Sequence, residues 1–301
     1  MSVSAVRQAT APRRRKPLVL AKRRSTLLTV IVWITMIYFL VPLIWLFVST
    51  TKDNSDLFTT FGLAFGKTFE FFSNIGNLFT FQGGVFLQWL GNTLLYAVTG
   101  AVGAAVLATA CGYALAKYRF RGRGLVFGLI LGSIMVPLTA LAIPTYLLFA
   151  AANITDSVWA IILPSFVSPF GVYLMRVYAA DAVDDTLLEA ARVDGAGELR
   201  IFFRVGLRLL APGLVTVLLF SLVATWNNYF LPLIMLNSPD LYPLTVGLAQ
   251  WQATAAGGSG SRALFSTIIT GSFVAIIPLI IAFLFLQRYW QSGLASGAVK
   301  G

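Results

Sequence analysis

The chain has 301 residues, of which 58% are hydrophobic and 11% are charged, and its mean hydropathy is +0.82. This composition is typical of an integral membrane protein, because soluble domains carry about 25% charged residues. The sequence has no His and one cysteine, Cys111, which excludes intrachain disulfides, thiolate zinc clusters and His-based acid–base catalysis. We therefore predict no metal site and no cofactor of its own.

The N-terminal region is a basic segment followed by a long apolar run. Residues 1–25 are expected to form a disordered cytoplasmic tail that contacts anionic lipid headgroups. Residues 26–51, bounded by Arg24 and Lys52, predict the first transmembrane helix. Residues 52–91 are then an extracytoplasmic connection with a short re-entrant or interfacial helix.

The rest of the chain contains five more uncharged or nearly uncharged stretches long enough to cross a bilayer, which takes about 20 residues. We predict a five-helix core over residues 92–288 and a cytoplasmic tail over residues 289–301. The fold class is therefore an all-α membrane protein with six transmembrane helices. The five core spans are expected at Asn92–Ala116, Gly124–Ala151, Ser157–Tyr178, Leu209–Leu236 and Leu264–Gln287.

The basic residues fall very unevenly about these spans. Nineteen of the 22 Lys and Arg residues lie on one side, and only Lys52, Lys67 and Arg262 lie on the other. By the positive-inside rule, both termini and residues 184–208 are cytoplasmic. The excess of basic residues that gives the net charge of +11 is thus explained by membrane topology and not by nucleic-acid binding.

No Asp, Glu, Lys or Arg lies in the middle of a predicted span. An ion-coupled carrier working alone is one alternative function. Such a carrier commonly needs an ionisable group at that depth to bind its coupling ion, and this sequence has none there. A membrane-embedded enzyme, a second alternative, lacks paired intramembrane carboxylates. With no nucleotide site in the chain, a partner protein is the simplest source of energy.

Residues 184–208 concentrate charge in a cytoplasmic connection and predict a pair of helices. The first covers Asp184–Val193, with Asp184 or Asp185 as N-cap and Gly195 as a break. In the second, apolar residues from Leu199 onward recur with helical spacing and lead into the fifth span. An interfacial helix pair at the membrane surface is the alternative interpretation.

The stretch EAARVDGA, Glu189–Ala196, resembles the E-A-A-x-x-x-G signature of permease subunits in binding-protein-dependent ABC importers. Nine residues after the motif's Gly195, Ala196–Arg204, lead to Val205, where that family has I-x-L-P. Here Arg208 replaces the proline, and Pro212 is a candidate for the bend instead.

A second motif, WNNYFLPLIMLNSPDLYPLTVGL at Trp226–Leu248, is similar to the smaller permease subunit of maltose-type transporters, as is the C-terminal GAVKG. The resemblance covers about Gly91 to Gly301. It implies the type I ABC importer permease fold in a bacterial inner membrane, without enzymatic activity. The implied partners are a sister permease in a heterodimer, two ATPase subunits that bind ATP and Mg, and an extracytoplasmic solute-binding protein.

The resemblance also implies roles for named residues. Residues 189–199 would be the coupling helix that docks on an ATPase, with Glu189 forming a charged contact. The coupling residues so implied are Glu189, Ala190, Ala191, Asp194, Gly195 and Leu199.

A sugar, oligosaccharide or polyol is the expected solute, since uncharged spans suit a neutral molecule. A permease for a phosphorylated polyol or another non-sugar solute is the alternative. The candidates for the substrate pathway are Trp226, Asn227, Asn228 and Tyr229, which equally suit hydrogen bonding between helices.

Overall fold

The computed structural model describes residues 25–257 and 264–297, in which every regular element is helical. Residues 1–24 of the expected N-terminal tail and residues 298–301 of the expected C-terminal tail lie outside the described residues. The α-helices in chain order are α1 (Thr26–Thr50), α2 (Asp56–Thr59), α3 (Phe71–Thr80), α4 (Val85–Lys117), α5 (Arg123–Ile134), α6 (Leu138–Ala151), α7 (Trp159–Ser165), α8 (Pro169–Ala182), α9 (Asp185–Val193), α10 (Glu198–Ile201), α11 (Leu207–Trp226), α12 (Phe230–Met235), α13 (Leu244–Ala256) and α14 (Leu264–Gly297).

The chain divides between Ile44 and Trp45 into two compact units. In the first unit the described helical residues are 26–44 of α1, whose side chains are exposed. Helix α1 has 25 residues and a hydropathy of 2.5, which suits a membrane span. The features described below lie in the second unit.

Helix α4 is the centre of the second unit and packs along α8 and α11. At Gly112, a Cβ would lie 2.6 Å from the Cβ of Met175 and 2.7 Å from the backbone nitrogen of Arg176. Glycine therefore permits the close approach of α4 to α8, as small residues do in membrane helix pairs. The middle of the buried face of α4 also carries small side chains, including Ala97, Ala101, Ala104, Ala105 and Ala108.

Within the described residues, five helical segments are long and apolar enough to cross a membrane, and a sixth results if α5 and α6 form one broken span. The third expected span, Gly124–Ala151, is not one helix, because α5 and α6 are bent by 107°. The bend lies at Pro137, whose ψ of 127° leaves the helical region. Proline also disfavours helix at the residue before it, here Val136.

The fifth span also differs from expectation. Helix α11 ends at Trp226 and α12 begins at Phe230, so no continuous helix reaches Leu236. The break falls at Asn227 and Asn228, whose amides bond to nearby backbone groups. Such local bonds compete with the helical ladder.

Helix α11 continues through Pro212, and the irregular turn lies before it. That turn is π-helical, at Phe202–Gly206, where the Leu207 N–H donates to the Phe202 carbonyl. At the other end of the chain, α14 continues to Gly297, past the boundary expected at 288. No proline follows Pro278 to stop it.

The connection between α1 and α4 is compact and ends at Val85, earlier than the expected boundary at 91. The buried Lys52 Nζ donates to the Phe61 carbonyl at 3.0 Å. Asn74 Nδ2 donates to the carbonyls of Thr50 and Lys52, each at 2.9 Å. Ser266 Oγ donates to Asn74 Oδ1 at 2.8 Å, which attaches the connection to the start of α14.

Candidate functional sites

Helix α9 begins at a capped N-terminus. The Asp184 carboxylate accepts hydrogen bonds from the backbone N–H and the hydroxyl of Thr186, both at 2.9 Å. A carboxylate there satisfies a free helical N–H and interacts well with the helix dipole. Of the two expected N-cap residues, Asp184 holds the position and Asp185 is the first residue of the helix.

Helix α9 ends in a tight turn at Gly195, whose φ is +79°. The Gly195 N–H donates to the Arg192 carbonyl and the Ala196 N–H to the Ala191 carbonyl, each at 3.0 Å. This pair of bonds is the Schellman motif, in which the left-handed residue is usually glycine. Glycine is needed here for its backbone conformation and not for lack of space. A Cβ at this position would meet no described atom within 4 Å, whereas a positive φ is strained for residues that carry one.

The α9–α10 element, residues 184–201, has one buried and one exposed face. Leu188 is buried, and Ala191 packs against the same core cluster as Val183 and Met175. The remaining coupling residues expected from the sequence, Glu189, Ala190, Asp194, Gly195 and Leu199, are exposed. Two apolar side chains stand out on this exposed side, since Val193 is 88% exposed and Leu199 is 77% exposed.

The two helices of this element are joined across the turn by an ion pair. Arg192 Nε donates to Glu198 Oε1 at 2.7 Å, and its Nη2 donates to Oε2 at 3.3 Å. The Tyr118 hydroxyl also donates to Glu198 Oε2 at 2.7 Å. The bond to Glu198 raises the pKa of Arg192, and burial raises the pKa of Tyr118.

A second ion pair attaches the start of α9 to the end of α4. Lys117 Nζ lies 2.8 Å from Asp185 Oδ1, and the Lys117 side chain is only 6% exposed. The pair joins two connections that topology predicted to share a membrane face. Sequence reasoning did not bring these residues together. Lys117 and Asp185 are 68 positions apart and Tyr118 and Glu198 are 80 apart, so no local pattern indicates either contact.

The other end of α4 holds the 236–243 loop through its backbone. Asn92 Nδ2 donates to the carbonyls of Asp240 and Tyr242 at 2.7 and 3.0 Å. The Tyr96 hydroxyl donates to the Leu241 carbonyl at 2.9 Å, and Trp89 Nε1 to the Pro239 carbonyl at 3.2 Å. Four consecutive loop carbonyls are thus bound by side chains of one helix.

Asp156 ties the same loop to the turn between α6 and α7. Its Oδ1 accepts the N–H groups of Asn237 and Ser238, each at 2.9 Å, and its Oδ2 accepts the Ser238 hydroxyl at 2.6 Å. The Ser238 hydroxyl and these N–H groups hold the pKa of Asp156 below its ordinary value. The residue has a φ of +52°, which Asp tolerates better than most residues.

A cavity of about 310 Å³ lies between α11, α13 and α14. Two of the four expected pathway residues, Trp226 and Asn227, line it. Asn228 instead caps the turn before α12, and its carbonyl accepts the Thr245 hydroxyl at 2.8 Å, while Tyr229 is exposed outside the lining. Sequence reasoning missed two further polar lining residues, Thr245 and Ser272.

Comparisons with known proteins agree with this architecture. The family described as "Binding-protein-dependent transport system inner membrane component" matches residues 104–295. The arabinooligosaccharides transport system permease protein AraQ of Bacillus subtilis is 34% identical over 275 residues, covering 91% of this chain and 95% of that protein. The maltodextrin transport system permease protein MdxG of the same organism is 34% identical over 226 residues, covering 73% and 78% of the two chains.

A solved structure is similar over most of its length. It is described as the crystal structure of a bacterial ABC transporter involved in the import of the acidic polysaccharide alginate. The match has a TM-score of 0.75 and 26% identity, and covers 88% of this chain and 95% of the other.

The helical fold, the membrane-spanning segments and these similarities define a multi-pass membrane permease subunit with the type I ABC importer fold. More particularly, the chain belongs to the inner-membrane components of binding-protein-dependent transport systems. Such a component is not catalytic, and its family implies an ATPase and a solute-binding protein as partners.

Proposed function

We propose that this permease subunit imports a neutral sugar, oligosaccharide or polyol, and that its α9–α10 element docks on an ATPase subunit. ATP and Mg²⁺ are held by that ATPase. The observation that carries the docking proposal is that the element exposes the charged side chains of Glu189 and Asp194 together with the apolar side chains of Val193 and Leu199. Such a face suits a protein partner, because the apolar groups gain from burial and the charges fix orientation.

The substrate class is supported by the relatives and by the cavity. AraQ and MdxG are named for arabinooligosaccharides and maltodextrin, and the alginate importer acts on a polysaccharide. The residues that line the cavity in the described part of the chain include Trp226, Asn227, Thr245 and Ser272, and none is charged. A phosphorylated polyol would call for a cation at such a site, so a neutral solute fits better.

The assembly proposed around this chain has four further subunits. A sister permease forms a heterodimer with it, two ATPases lie on the cytoplasmic side, and a solute-binding protein docks on the opposite side. The chain spans a bacterial inner membrane with both termini in the cytoplasm, as its distribution of Lys and Arg predicts. Its basic N-terminal segment contacts anionic lipid.

Charge reversal at Glu189 tests the docking proposal. We expect Glu189→Lys to weaken ATPase binding to the permease pair about tenfold, because a charged contact becomes repulsive. Binding is measured with the permease pair in lipid nanodiscs and purified ATPase. Asp181→Lys is the matched control, since Asp181 is also exposed and lies in α8, outside the α9–α10 element. Equal binding by both variants and wild type would contradict the proposal.

A transport assay tests the substrate class separately. Proteoliposomes with the complete complex, loaded with ATP, should accumulate a radiolabelled oligosaccharide only when the binding protein is present outside. Uptake by this chain alone under an ion gradient, without ATP, would contradict the proposed function.

A further inference from the structure

Helix α4 differs from the other spans in having no proline. Each of the other five predicted spans contains at least one, whereas none occurs in Val85–Lys117. Because prolines remove a backbone hydrogen bond and kink helices, α4 lacks a cause of bending that the other five predicted spans share. Its buried core residues extend from Phe86 to Leu115, along nearly the whole helix.

The two ends of α4 are each attached to a different functional segment. Lys117 and Tyr118 hold the α9–α10 element through Asp185 and Glu198. About 30 Å away along the helix axis, at 1.5 Å per residue, Tyr96 holds the 236–243 loop. That separation equals the thickness of a bilayer hydrocarbon core, so the attachments lie at opposite membrane faces.

The attachments at the Lys117 end fix both parts of the α9–α10 element. Lys117 contacts the first turn of α9, while Tyr118 contacts Glu198 at the start of α10. Since Glu198 is also paired with Arg192, both helices of the element are attached to the end of α4. The low exposure of the Lys117 side chain means that its ammonium group has few alternative partners in water.

The attachments at the other end act on the loop backbone. Asn92 and Tyr96 bind carbonyl groups of the 236–243 loop, and the Leu244 N–H donates to Thr93 Oγ1 at 2.8 Å. Gly247 on α13 then packs against the Trp89 ring. The loop and the start of α13 are therefore both attached to α4.

We propose that α4 is a strut, meaning a helix attached at both ends that transmits movement of the α9–α10 element to the extracytoplasmic 236–243 loop. This proposal rests on the proposed ATPase docking. Lys117 and Tyr118 are its cytoplasmic positioning residues, and Asn92 and Tyr96 are the extracytoplasmic ones. Rigid helices with fixed attachments at both ends are a physical route for coupling between distant sites. Without the attachments at Lys117 and Tyr118, the α9–α10 element would stay joined to the unit through α11, but its movement would no longer reach the loop through α4.

The ion pair provides the first test. Lys117→Asp should lower the amount of solute transported per ATP hydrolysed about fivefold, and the double change Lys117→Asp with Asp185→Lys should largely restore it. Arg119→Asp is the control, because Arg119 is exposed and undergoes the same charge change two residues further on. A normal ratio in Lys117→Asp, or no restoration in an assembled double variant, would overturn the strut. If the double variant does not assemble, Tyr118→Phe replaces it: a lowered ratio supports the strut, and an unchanged one overturns it.

A reporter on the far side provides the second test. In a Cys111→Ala background, Asp240→Cys places a thiol on the exposed loop without removing the carbonyl that Asn92 binds. The rate of labelling by an impermeant maleimide should change when ATP and vanadate trap the ATPases. The change should be lost with Lys117→Asp and kept with Arg119→Asp. A change that persists with Lys117→Asp would overturn the strut.

The two proposals fail in different ways. If Glu189→Lys leaves ATPase binding unchanged, the docking proposal itself is wrong. If Glu189→Lys weakens binding while Lys117→Asp leaves both the transport ratio and the labelling response normal, docking stands and the strut is overturned.

Discussion

The two segments held by α4 are attached by different chemistry. The α9–α10 element is held through its side chains, by the pairs Lys117–Asp185 and Tyr118–Glu198, and it leaves its outer face free. The 236–243 loop is held mainly through backbone carbonyls bound by α4 side chains such as Asn92. Bonds to the backbone fix the path of a loop whatever its own side chains, whereas bonds between side chains depend on both residues.

This difference predicts where each segment tolerates substitution. Exposed side chains of the 236–243 loop, such as that of Asp240, can change to suit a binding protein while α4 still holds the path of the loop. The α9–α10 element can change only on its exposed face, around Glu189 and Val193, without loss of its attachment. The following experiments test this contrast, beginning with the largest expected effect.

Substitution of Gly195 should have the largest effect, because the turn between α9 and α10 depends on its φ of +79°. Gly195→Val places a β-branched residue in the left-handed region, at a cost of about 1–3 kcal/mol. We expect ATPase binding to fall by about 5- to 150-fold if docking needs this turn. Gly197→Val is the matched control, since Gly197 has an extended backbone with φ −69° and ψ 156°. Equal binding by the two variants would show that the shape of the turn is unimportant.

Val193 tests the exposed apolar face. Its side chain is 88% exposed, so Val193→Ser should leave permease stability unchanged. If an ATPase covers the side chain, the lost apolar burial of about 1 kcal/mol should weaken binding roughly fivefold. Titration of ATPase onto nanodisc-bound permease measures this. Unchanged affinity would place Val193 outside the interface.

Substitution of Asp156 tests the attachment of the 236–243 loop and should have the smallest effect. Asp156→Ala should raise amide hydrogen exchange in residues 236–243 about threefold, and Asp156→Asn less, because Asn still accepts hydrogen bonds and tolerates a positive φ. An unchanged exchange rate in Asp156→Ala would mean that α4 alone holds the loop.

The pH dependence of the Asp156 attachment follows from the direction of its pKa shift. The folded state lowers the pKa of Asp156, so the stabilisation is complete above the ordinary Asp value near 3.9. It is lost only as pH falls through the lower, folded value. Exchange corrected for its intrinsic rate should therefore be constant between about pH 5 and pH 8. A loss of protection within that range that is absent from Asp156→Asn would contradict this account.

Local features of the α9–α10 element could be predicted from the sequence. Asp184 as a possible N-cap and Gly195 as a break follow from residue types whose preferences act within a few positions, and the structure has a cap and a turn at these residues. The six apolar spans are likewise visible from composition, and the membrane fold is confirmed.

The features that were missed depend on tertiary placement. Pro137 is one of several prolines expected to kink the spans, but the presence of a proline alone does not predict a 107° bend, since α11 continues past Pro212 without ending. The bonds from Asn92 and Tyr96 end on carbonyls, which every residue has, so the sequence carries no sign of the partner. Likewise, Thr245 and Ser272 meet at the cavity only through the packing of α13 against α14.

Photo-crosslinking from Val193 tests the central claim, docking of the α9–α10 element on an ATPase, most directly. A benzophenone amino acid at position 193, in the assembled complex in membranes, should form a crosslink to the ATPase subunit on irradiation. The same group at Phe61, in the connection after α1 and also exposed, should form none. Crosslinks from position 193 to lipid alone, with the ATPase present and active, would contradict the account.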